Sequence, residues 1–430
     1  MRCIDKMNDI FSCVPLPEGK FDFEYDCGDG AYMLCFRETD ADKFLACCEK
    51  IKDAGFTLYD STDIEGNMHR TFIGNLALHI YYSLFENTIR IIADRKIPSH
   101  NRKPVICGKM PSVLWQFEVD HSLIDCGMCY IVRCDDGSFF IIDSPHFYSV
   151  NDDIRIIEFL KKISGEAKPR VAGWFFSHGH EDHLAKFNDI LKYHDKELTI
   201  EKVFCNIPSP EHRDADLWGA SSHAMMRNFR EALKAHTDIQ VVKLHSGMHF
   251  CVRNLEFDVL CTHEDTYPES TEDFNNTSTA IKMTVDGCPV MFPGDSSAHS
   301  NKILTGRYNE TLKSDIVQIS HHGHFGLSPE FYRRVNAQCT LFPVTVIKYE
   351  EEWPRQEANR VAFEIAKESY IASDGTVEIP LPYVFGRTKV LPDETFEDFD
   401  GIFNLWSYEY TDEYKKKLYN EFLKRSGKGE

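Results

Sequence analysis

The segment from residue 178 to residue 183 reads HGHEDH, so three histidines and two carboxylates stand within six consecutive positions. His178 and His180 are two apart in what reads as an extended loop, so their side chains can point to one side and share a metal ion. Asp182 and His183 follow at the start of a predicted helix and can reach a second ion. Zinc binds imidazole nitrogen and carboxylate oxygen at roughly 2.0–2.2 Å. A solvated, histidine-rich helix end is the alternative, but this density of ligand groups would be costly without cations.

The residues on either side of this loop predict the elements that hold it. The preceding run VAGWFF predicts a buried strand, and the following run LAKFNDILKYH predicts a helix. In that helix Leu184, Phe187, Ile190 and Leu191 recur at helical spacing and should face inward. The motif therefore lies between a strand and a helix, where rigid neighbours commonly position functional side chains.

The patterns along the chain predict two folded regions. Residues 21–95 alternate strand-like runs with one helical stretch, in which the apolar residues on one face are Phe44, Cys47, Cys48 and Ile51. Strands and helices alternate farther on, including a hairpin with a turn at Asp286-Gly287. We predict a small α+β domain, a linker, an α/β domain, and a tail that is first acidic and then helical and basic. These parts span residues 1–95, 96–111, 112–390 and 391–430. The role of the first part stays open between a cap and a pairing module.

The cysteines and the apolar runs bear on the cellular compartment. The 15 cysteines are odd in number and lack the spacing of a disulfide framework, and the amino-terminal stretch lacks the apolar core of a signal peptide. No apolar run approaches about 18 residues, the length that crosses a membrane. We therefore expect a cytoplasmic protein with reduced thiols and no membrane contact. The CGMC stretch at Cys126 to Cys129 has a zinc or redox interpretation, but without a second CxxC we favour buried or strand cysteines.

The net charge restricts the class of partner. A formal net charge of -20 and a pI near 5.4 argue against long nucleic acid. Non-specific affinity for nucleic acid comes mostly from lysine and arginine that displace counterions. A small-molecule substrate is therefore favoured, and the oligomeric state, including a homo-oligomer, stays open.

The HxHxDH pattern at residues 178–183 resembles the signature of the metallo-β-lactamase superfamily. The order NNTSTAIKM, PGD and SHHG is most similar to the branch that contains phosphorylcholine esterases and the hydrolase domain of competence DNA-uptake proteins. The resemblance covers residues 114–385. It implies an α/β fold, the αββα metallo-β-lactamase sandwich, with a metal site at one edge.

The resemblance also implies a set of metal ligands. It implies two divalent metal ions, with Zn²⁺ favoured and Mn²⁺ or iron as alternatives. The loop ligands would be His178, His180, Asp182 and His183. Asp295, in the run VMFPGD, would bridge the two ions. A simple turn or cap role is the alternative for Asp295.

Further residues take supporting or less certain roles under the resemblance. Asp143, which ends the run FFIID, would orient the loop histidines from behind the ligands. In the run SHHGHFG we favour His322 as a ligand and His321 as a catalytic neighbour that hydrogen-bonds a phosphoryl oxygen or the leaving group. Spacing alone does not decide which of the two histidines is the ligand. We interpret His324 as a loop residue.

The third ligand of the first ion is the least defined position. His263, in the run VLCTHEDTYP, follows a strand and would fill it, against the alternative of a loop residue that binds no metal. His245 and His249 are the fallback candidates.

The function that these residues imply is a dinuclear metal-dependent hydrolase. Its substrate would be a small phosphodiester or phosphorylated ester, attacked by a hydroxide shared between the ions and held in part by Asp182. A lactone, thioester or amide hydrolase on the same site is one alternative. A metal-binding sensor or scaffold without turnover is another, and the complete set of ligands disfavours it.

Overall fold

The computed structural model describes residues 10–121, 124–149, 151–209, 219–268 and 273–391. The predicted tail lies outside these ranges beyond Leu391. Within them, no helix is both long enough and apolar enough to cross a membrane. Every cysteine in these ranges is a free thiol.

The first unit is an antiparallel sheet of six strands with a helix on one face. Its strands are β1 Lys20–Gly28, β2 Ala31–Arg37, β3 Thr57–Ile64, β4 Asn67–Ile73, β5 Ala77–Ser83 and β6 Thr88–Asp94, and they lie in the order β1-β2-β6-β5-β4-β3. Helix α1, Ala41–Asp53, begins after Asp40, whose side chain accepts a hydrogen bond from a backbone N–H of the first turn. The helix buries the predicted face, which consists of Phe44, Cys47, Cys48 and Ile51. Polar residues interrupt the apolar pattern of β4, so the sequence does not indicate this strand.

The second unit contains two mixed sheets. The nine-stranded sheet contains β7 Val113–Gln116, β8 Tyr130–Arg133, β9 Phe139–Ile142, β10 Arg170–Phe176, β11 Thr199–Ile200, β12 Lys202–Cys205, β13 Gln240–Lys243, β21 Val377–Pro380 and β22 Lys389–Val390. The seven-stranded sheet contains β14 His249–Val252, β15 Leu255–Cys261, β16 Ala280–Val285, β17 Cys288–Phe292, β18 Ile316–Gln318, β19 Cys339–Phe342 and β20 Glu368–Ile371. Strands β9, β10, β12 and β13 run parallel, as do β17 to β20.

The two sheets pack face to face and helices cover their outer faces. Phe175 of β10 lies in the core between the sheets, whereas its neighbours Trp174 and Phe176 face the helices on the outside. The remaining helices are α2 Asp152–Ser164, α3 Glu181–Tyr193, α4 Gly219–Ala235, α5 His263–Thr266, α6 Ala298–Arg307, α7 Pro329–Val335, α8 Val346–Glu352 and α9 Glu357–Ile365. Helices α2, α3 and α4 cover the nine-stranded sheet, and α6, α7 and α9 cover the other. The unit is thus an αββα sandwich.

Local turn chemistry agrees with the sequence at two connections. Gly165 has φ 72° and ends α2, and glycine is the residue in the sequence that most readily takes this left-handed conformation at a helix end. Asp286 and Gly287 have φ values of 50° and 77° and join β16 to β17. Two successive positive φ values are typical of the tight hairpin turn that the sequence predicts.

The open face of the six-stranded sheet is docked on the sandwich. Tyr81 donates a hydrogen bond of 2.5 Å to Oδ1 of Asp265, and the same oxygen lies 2.8 Å from Nη1 of Arg307. Arg307 also contacts Glu86 at 2.6 Å. Residues 96–111 lie along the sandwich, where Asn101 forms a β-bridge with Cys251. The predicted linker is therefore fixed to the sandwich at that bridge.

Candidate metal centre

Most of the predicted site residues lie at one edge of the sandwich. Asp143 follows β9 and the loop of His178 follows β10, so both leave the nine-stranded sheet at the carboxyl ends of parallel strands. Asp295 follows β17 and His322 follows β18 in the other sheet. Carboxyl ends of parallel strands are the usual place for a site in α/β folds. Here the ends from both sheets face each other.

The loop between β10 and α3 turns its side chains inward. His178 and His183 are fully buried, and α3 begins directly after His180, which keeps an extended conformation. Asp182 and His183 therefore lie in the first helical turn. A Cβ atom at Gly179 would lie 2.6 Å from Sδ of Met226, so the loop packs too closely on α4 for a side chain there.

Four side chains form a compact group at this edge. The group consists of Asp182, His183, Asp295 and His322, with one potential ligand atom of each within 4.8 Å of the others. Nε2 of His322 lies 2.9 Å from Oδ2 of Asp182 and 3.2 Å from Oδ2 of Asp295. Nε2 of His183 lies 3.2 Å from the same oxygen of Asp295. One carboxylate oxygen thus faces two imidazoles.

The two loop histidines form a second ligand pair beside this group. Nε2 of His178 lies 3.0 Å from Nδ1 of His180 and 4.0 Å from Oδ2 of Asp295. Two ligand atoms that are about 2.1 Å from one tetrahedral ion lie roughly 3.4 Å apart, so this pair is spaced to share one ion. Oδ2 of Asp295 faces both His178 of this pair and the two histidines of the group of four, as the oxygen of a bridging carboxylate would.

A buried network orients the histidines from behind. The carboxylate of Asp143 accepts hydrogen bonds from the backbone N–H and the hydroxyl of Ser177, both at 2.7 Å, and lies 2.9 Å from Nδ1 of His183. The Ser177 hydroxyl lies 3.0 Å from Nδ1 of His178. Nδ1 of His322 lies 2.8 Å from the carbonyl oxygen of Pro343. In each of these three imidazoles Nδ1 has a hydrogen-bond partner and Nε2 faces Asp295. Histidine ligands of metal ions usually have this arrangement.

Unusual backbone conformations present two of the candidate ligands. His321 and His322 have φ values of 51° and 52°, in the left-handed region that residues with a Cβ seldom adopt. Gly294, next to Asp295, has φ 60°, and a Cβ there would lie 2.7 Å from Cβ of Ser177. Such strain clusters at functional sites, where the surrounding structure holds it.

The charges of the group are strongly coupled. Burial raises the pKa of Asp182 and Asp295, but the neighbouring His183 and His322 outweigh burial and hold both pKa values well below the usual range. Burial lowers the pKa of His322, but Asp295 and Asp182 outweigh it and raise that pKa to about 10. Burial and His183 keep the pKa of His178 well below its usual value. Protons on His183 and His322 thus neutralise the carboxylates wherever no cation does so.

The donor set fits two divalent cations. It combines imidazole nitrogens with carboxylate oxygens, the ligands that zinc and related ions take. Oδ1 of Asp295 is buried and has no hydrogen-bond partner among the described residues, although an unpaired buried carboxylate oxygen is costly. A second cation beside Asp295 would satisfy that oxygen.

The structure does not bring His263 to this group. His263 is the first residue of α5, and its Nδ1 lies 2.8 Å from the hydroxyl of Tyr25 while its Nε2 lies 2.9 Å from Oδ1 of Asn206. Both nitrogens are therefore engaged, and we leave His263 out of the proposed ligand set. The fallback candidates also lie elsewhere, since His245 contacts Glu264 and His249 contacts Asp258, each at 2.8 Å.

The other two histidines of the SHHGHFG run lie beside the group of four rather than in it. His321 is partly exposed, and its Nδ1 lies 3.4 Å from the carbonyl oxygen of Phe325. His324 lies 3.5 Å from Glu352. His322 is thus the member of this run that contacts Asp182 and Asp295.

Sequence reasoning missed the position of Cys126. Its segment forms a β-bridge with Val344, and its thiol lies beside the carboxylate of Asp182. Burial, with Asp182 and Asp295, raises the pKa of this thiol well above its usual value. Cys129 is buried directly before β8, as a strand cysteine would be. No local pattern around CGMC distinguishes the two cysteines.

Comparison with known proteins gives remote structural likeness only. No protein-family model matches the chain, and no curated protein matches it. The metallo-β-lactamase fold protein YhfI from Bacillus subtilis is a similar solved structure, with 12% identity and a TM-score of 0.38 over 61% of this chain and 97% of that one. A metal-dependent hydrolase from Parabacteroides distasonis aligns at 10% identity and a TM-score of 0.29, over 74% of this chain and 99% of that one.

A third similar structure is the diiron β-hydroxylase CmlA from Streptomyces venezuelae. It aligns at 15% identity and a TM-score of 0.30, over 61% of this chain and 45% of that one. These TM-scores all lie below 0.5. The chemistry of the site is therefore inferred from its own geometry.

Proposed function

We propose that the protein is a metal-dependent hydrolase with a dinuclear centre. The observation that carries this proposal is the compact group of Asp182, His183, His322 and Asp295, with the pair of His178 and His180 beside it. His178 and His180 would hold one ion, and Asp182, His183 and His322 would hold the other. Asp295 would contact both.

The residues of this chain prepare the site for ester hydrolysis. Two divalent cations bound there would supply a water molecule of lowered pKa and a Lewis acid for the ester oxygen. Asp182 faces the centre and can orient the attacking water as it binds its ion. Asp143 and Ser177 keep the imidazoles in fixed orientations, so little reorganisation is needed during the reaction.

We further propose that the substrate is a small phosphodiester or phosphorylated ester. The support is the resemblance of the SHHG run and the position of His321 beside the ligand His322. Because Nδ1 of His321 faces the carbonyl oxygen of Phe325, its Nε2 is the ring atom left to meet a substrate. In the imidazolium form Nε2 donates a hydrogen bond to a phosphoryl oxygen or to the leaving group. Phe325, which is 76% exposed, offers an apolar contact nearby.

A parallel substrate panel tests this proposal. Protein loaded with zinc, manganese or iron is assayed with bis(4-nitrophenyl) phosphate, a choline phosphoester, a lactone, a thioester and a chromogenic β-lactam. We expect turnover of the phosphoesters, and loss of that turnover in Asp295→Asn but not in His324→Gln. Turnover of the lactone or thioester alone would replace the substrate class and keep the hydrolase. No turnover of any substrate by fully loaded protein would favour a sensor or scaffold.

A further inference from the structure

A second group of metal-binding side chains lies where the amino-terminal sheet meets the sandwich. His79 of β5 and Asp94 of β6 belong to the sheet, whereas His245 follows β13 of the sandwich. One potential ligand atom of each lies within 4.8 Å of the other two. The three residues are 2%, 1% and 0% exposed. The candidate metal centre does not use them.

His245 is oriented as a metal ligand. Its Nδ1 lies 2.8 Å from Oε1 of Glu264, and its Nε2 lies 3.4 Å from Oδ2 of Asp94. Among the described residues, this buried Nε2 has no hydrogen-bond partner. Histidine ligands commonly donate their outer N–H to a carboxylate, which turns the other nitrogen to the metal. Glu264 therefore holds His245 with its Nε2 directed at Asp94.

His79 meets the same requirement from the other side of the interface. Its Nδ1 lies 3.0 Å from the hydroxyl of Thr71, which leaves Nε2 for a metal. Its ring centroid is 4.0 Å from that of His245. Burial and the charge on His245 hold the pKa of His79 well below its usual value. The two imidazoles thus lie at one position of the interface.

A further imidazole and an ammonium group lie near these three residues. The ring of His69 lies 6.3 Å from that of His79, and in the described part of the chain neither of its nitrogens has a hydrogen-bond partner. The neighbouring Lys243 donates to the backbone carbonyl oxygens of Cys27 and Gly28, at 3.1 and 2.7 Å. Its ammonium group thus points to the backbone of β1.

We propose that His79, Asp94 and His245 form a structural site for one divalent transition-metal ion, zinc by preference, that joins the amino-terminal sheet to the sandwich. Two imidazole nitrogens and one carboxylate oxygen are donors that zinc takes in protein sites. Because the ligands come from both units, the complete site exists only when the units are docked. The binding free energy of the ion therefore stabilises the docked arrangement.

A proton is the competing occupant of this position. Burial lowers the pKa of His245, but Glu264 and Asp94 outweigh burial and raise that pKa to about 9. A protonated His245 would link these two carboxylates without any metal. This alternative gives no role to His79, so a change at His79 distinguishes the two occupants.

Crystallography of the unaltered chain tests the site directly. Crystals are grown with zinc chloride, and anomalous differences are measured above and below the zinc edge. We expect a peak between His79, Asp94 and His245. Zinc at Asp295 with no peak between these three residues would overturn the proposal.

Metal counting on variants gives a second test that does not depend on turnover. His79→Gln and Asp94→Asn are loaded with zinc, freed of unbound metal by gel filtration and analysed by mass spectrometry for metals, with circular dichroism as the check on folding. The matched control is His100→Gln, because His100 is also a buried histidine without a hydrogen-bonded ring nitrogen among the described residues. We expect the two variants to bind about one ion fewer per chain than the wild type, and the control to keep the full count. A folded His79→Gln protein with the full count would refute the site.

Discussion

The contact behind His183 allows a quantitative prediction for Asp143→Asn. One oxygen of Asp143 accepts from the backbone N–H of Ser177 at 2.7 Å, and the other serves the Ser177 hydroxyl and Nδ1 of His183, at 2.7 and 2.9 Å. An asparagine keeps its oxygen on the backbone N–H and places an NH₂ group where the second oxygen was. That group is a donor, so the Nδ1–H of His183 loses its acceptor. Loss of such a partner typically lowers metal affinity 10- to 100-fold, or roughly 1.4–2.8 kcal/mol.

The assay is competition for zinc between the protein and a chromophoric chelator. The matched control is Asp152→Asn, which also changes a buried aspartate but lies on α2 and accepts a backbone hydrogen bond from Asp120 at 2.8 Å. We expect the affinity to fall in Asp143→Asn and to stay at the wild-type value in the control. Equal affinities in the two variants would show that Asp143 does not orient a metal ligand.

Three further predictions concern His321, the buried carboxyl group of Asp152 and the turn at Gly294. His321→Gln should keep its metal and lose roughly 10²–10³ in kcat, because one contact to developing charge is worth about that much; His324→Gln should keep the wild-type rate, and full rates in both would remove His321 from the mechanism. Burial raises the pKa of Asp152 to about 7, although Arg155 partly opposes this shift. The native state therefore binds the carboxyl proton of Asp152 more tightly than the unfolded state does. The free energy of unfolding should fall as pH rises from about 4 to 7. Asp152→Asn should abolish that fall, worth at most about 4 kcal/mol, and equal pH profiles of denaturant unfolding in the two proteins would contradict it. Gly294→Ala should destabilise the protein by about 2–5 kcal/mol, through its positive φ and the clash with Ser177, and an unchanged unfolding midpoint would contradict the conformation described for this turn.

The positions of the loop side chains could be predicted because their signal is local. An apolar run that forms β10 precedes His178, and a periodic run that forms α3 follows His183, so the motif and its supporting elements are contiguous. Asp295 and His322 also stand directly after strands, where a side chain leaves the sheet at a fixed edge. In such places the spacing of the apolar residues indicates both the type of element and the residue at which it ends.

His263 has partners that no local pattern indicates. It follows β15 as a ligand might, but its partners are Tyr25 and Asn206, which are remote in sequence. Tyr25 belongs to the amino-terminal sheet, whose docking no periodicity reveals. The position of Cys126 beside Asp182 depends in the same way on a β-bridge to Val344. Contacts of this kind arise from the packing of units that are separate in sequence.

The docking of the amino-terminal sheet on the sandwich is a further feature that its sequence pattern does not indicate. One face is covered by α1, and the other places Tyr81 and Glu86 in contact with charged residues of the sandwich. Arg307 is buried in this interface, and its contacts with Asp265 and Glu86 compensate that burial. Removing the sheet would take one carboxylate from Arg307 and would expose the ring of Tyr267, which stacks on Tyr25 of the sheet. We therefore expect the sandwich to need the sheet for its stability.

Anomalous diffraction from crystals of metal-loaded protein is the decisive measurement for the dinuclear centre. We expect two metal peaks that share Asp295, one beside His178 and His180 and the other beside Asp182, His183 and His322. A single peak, or none, at Asp295 in protein that hydrolyses a phosphoester would contradict the dinuclear centre.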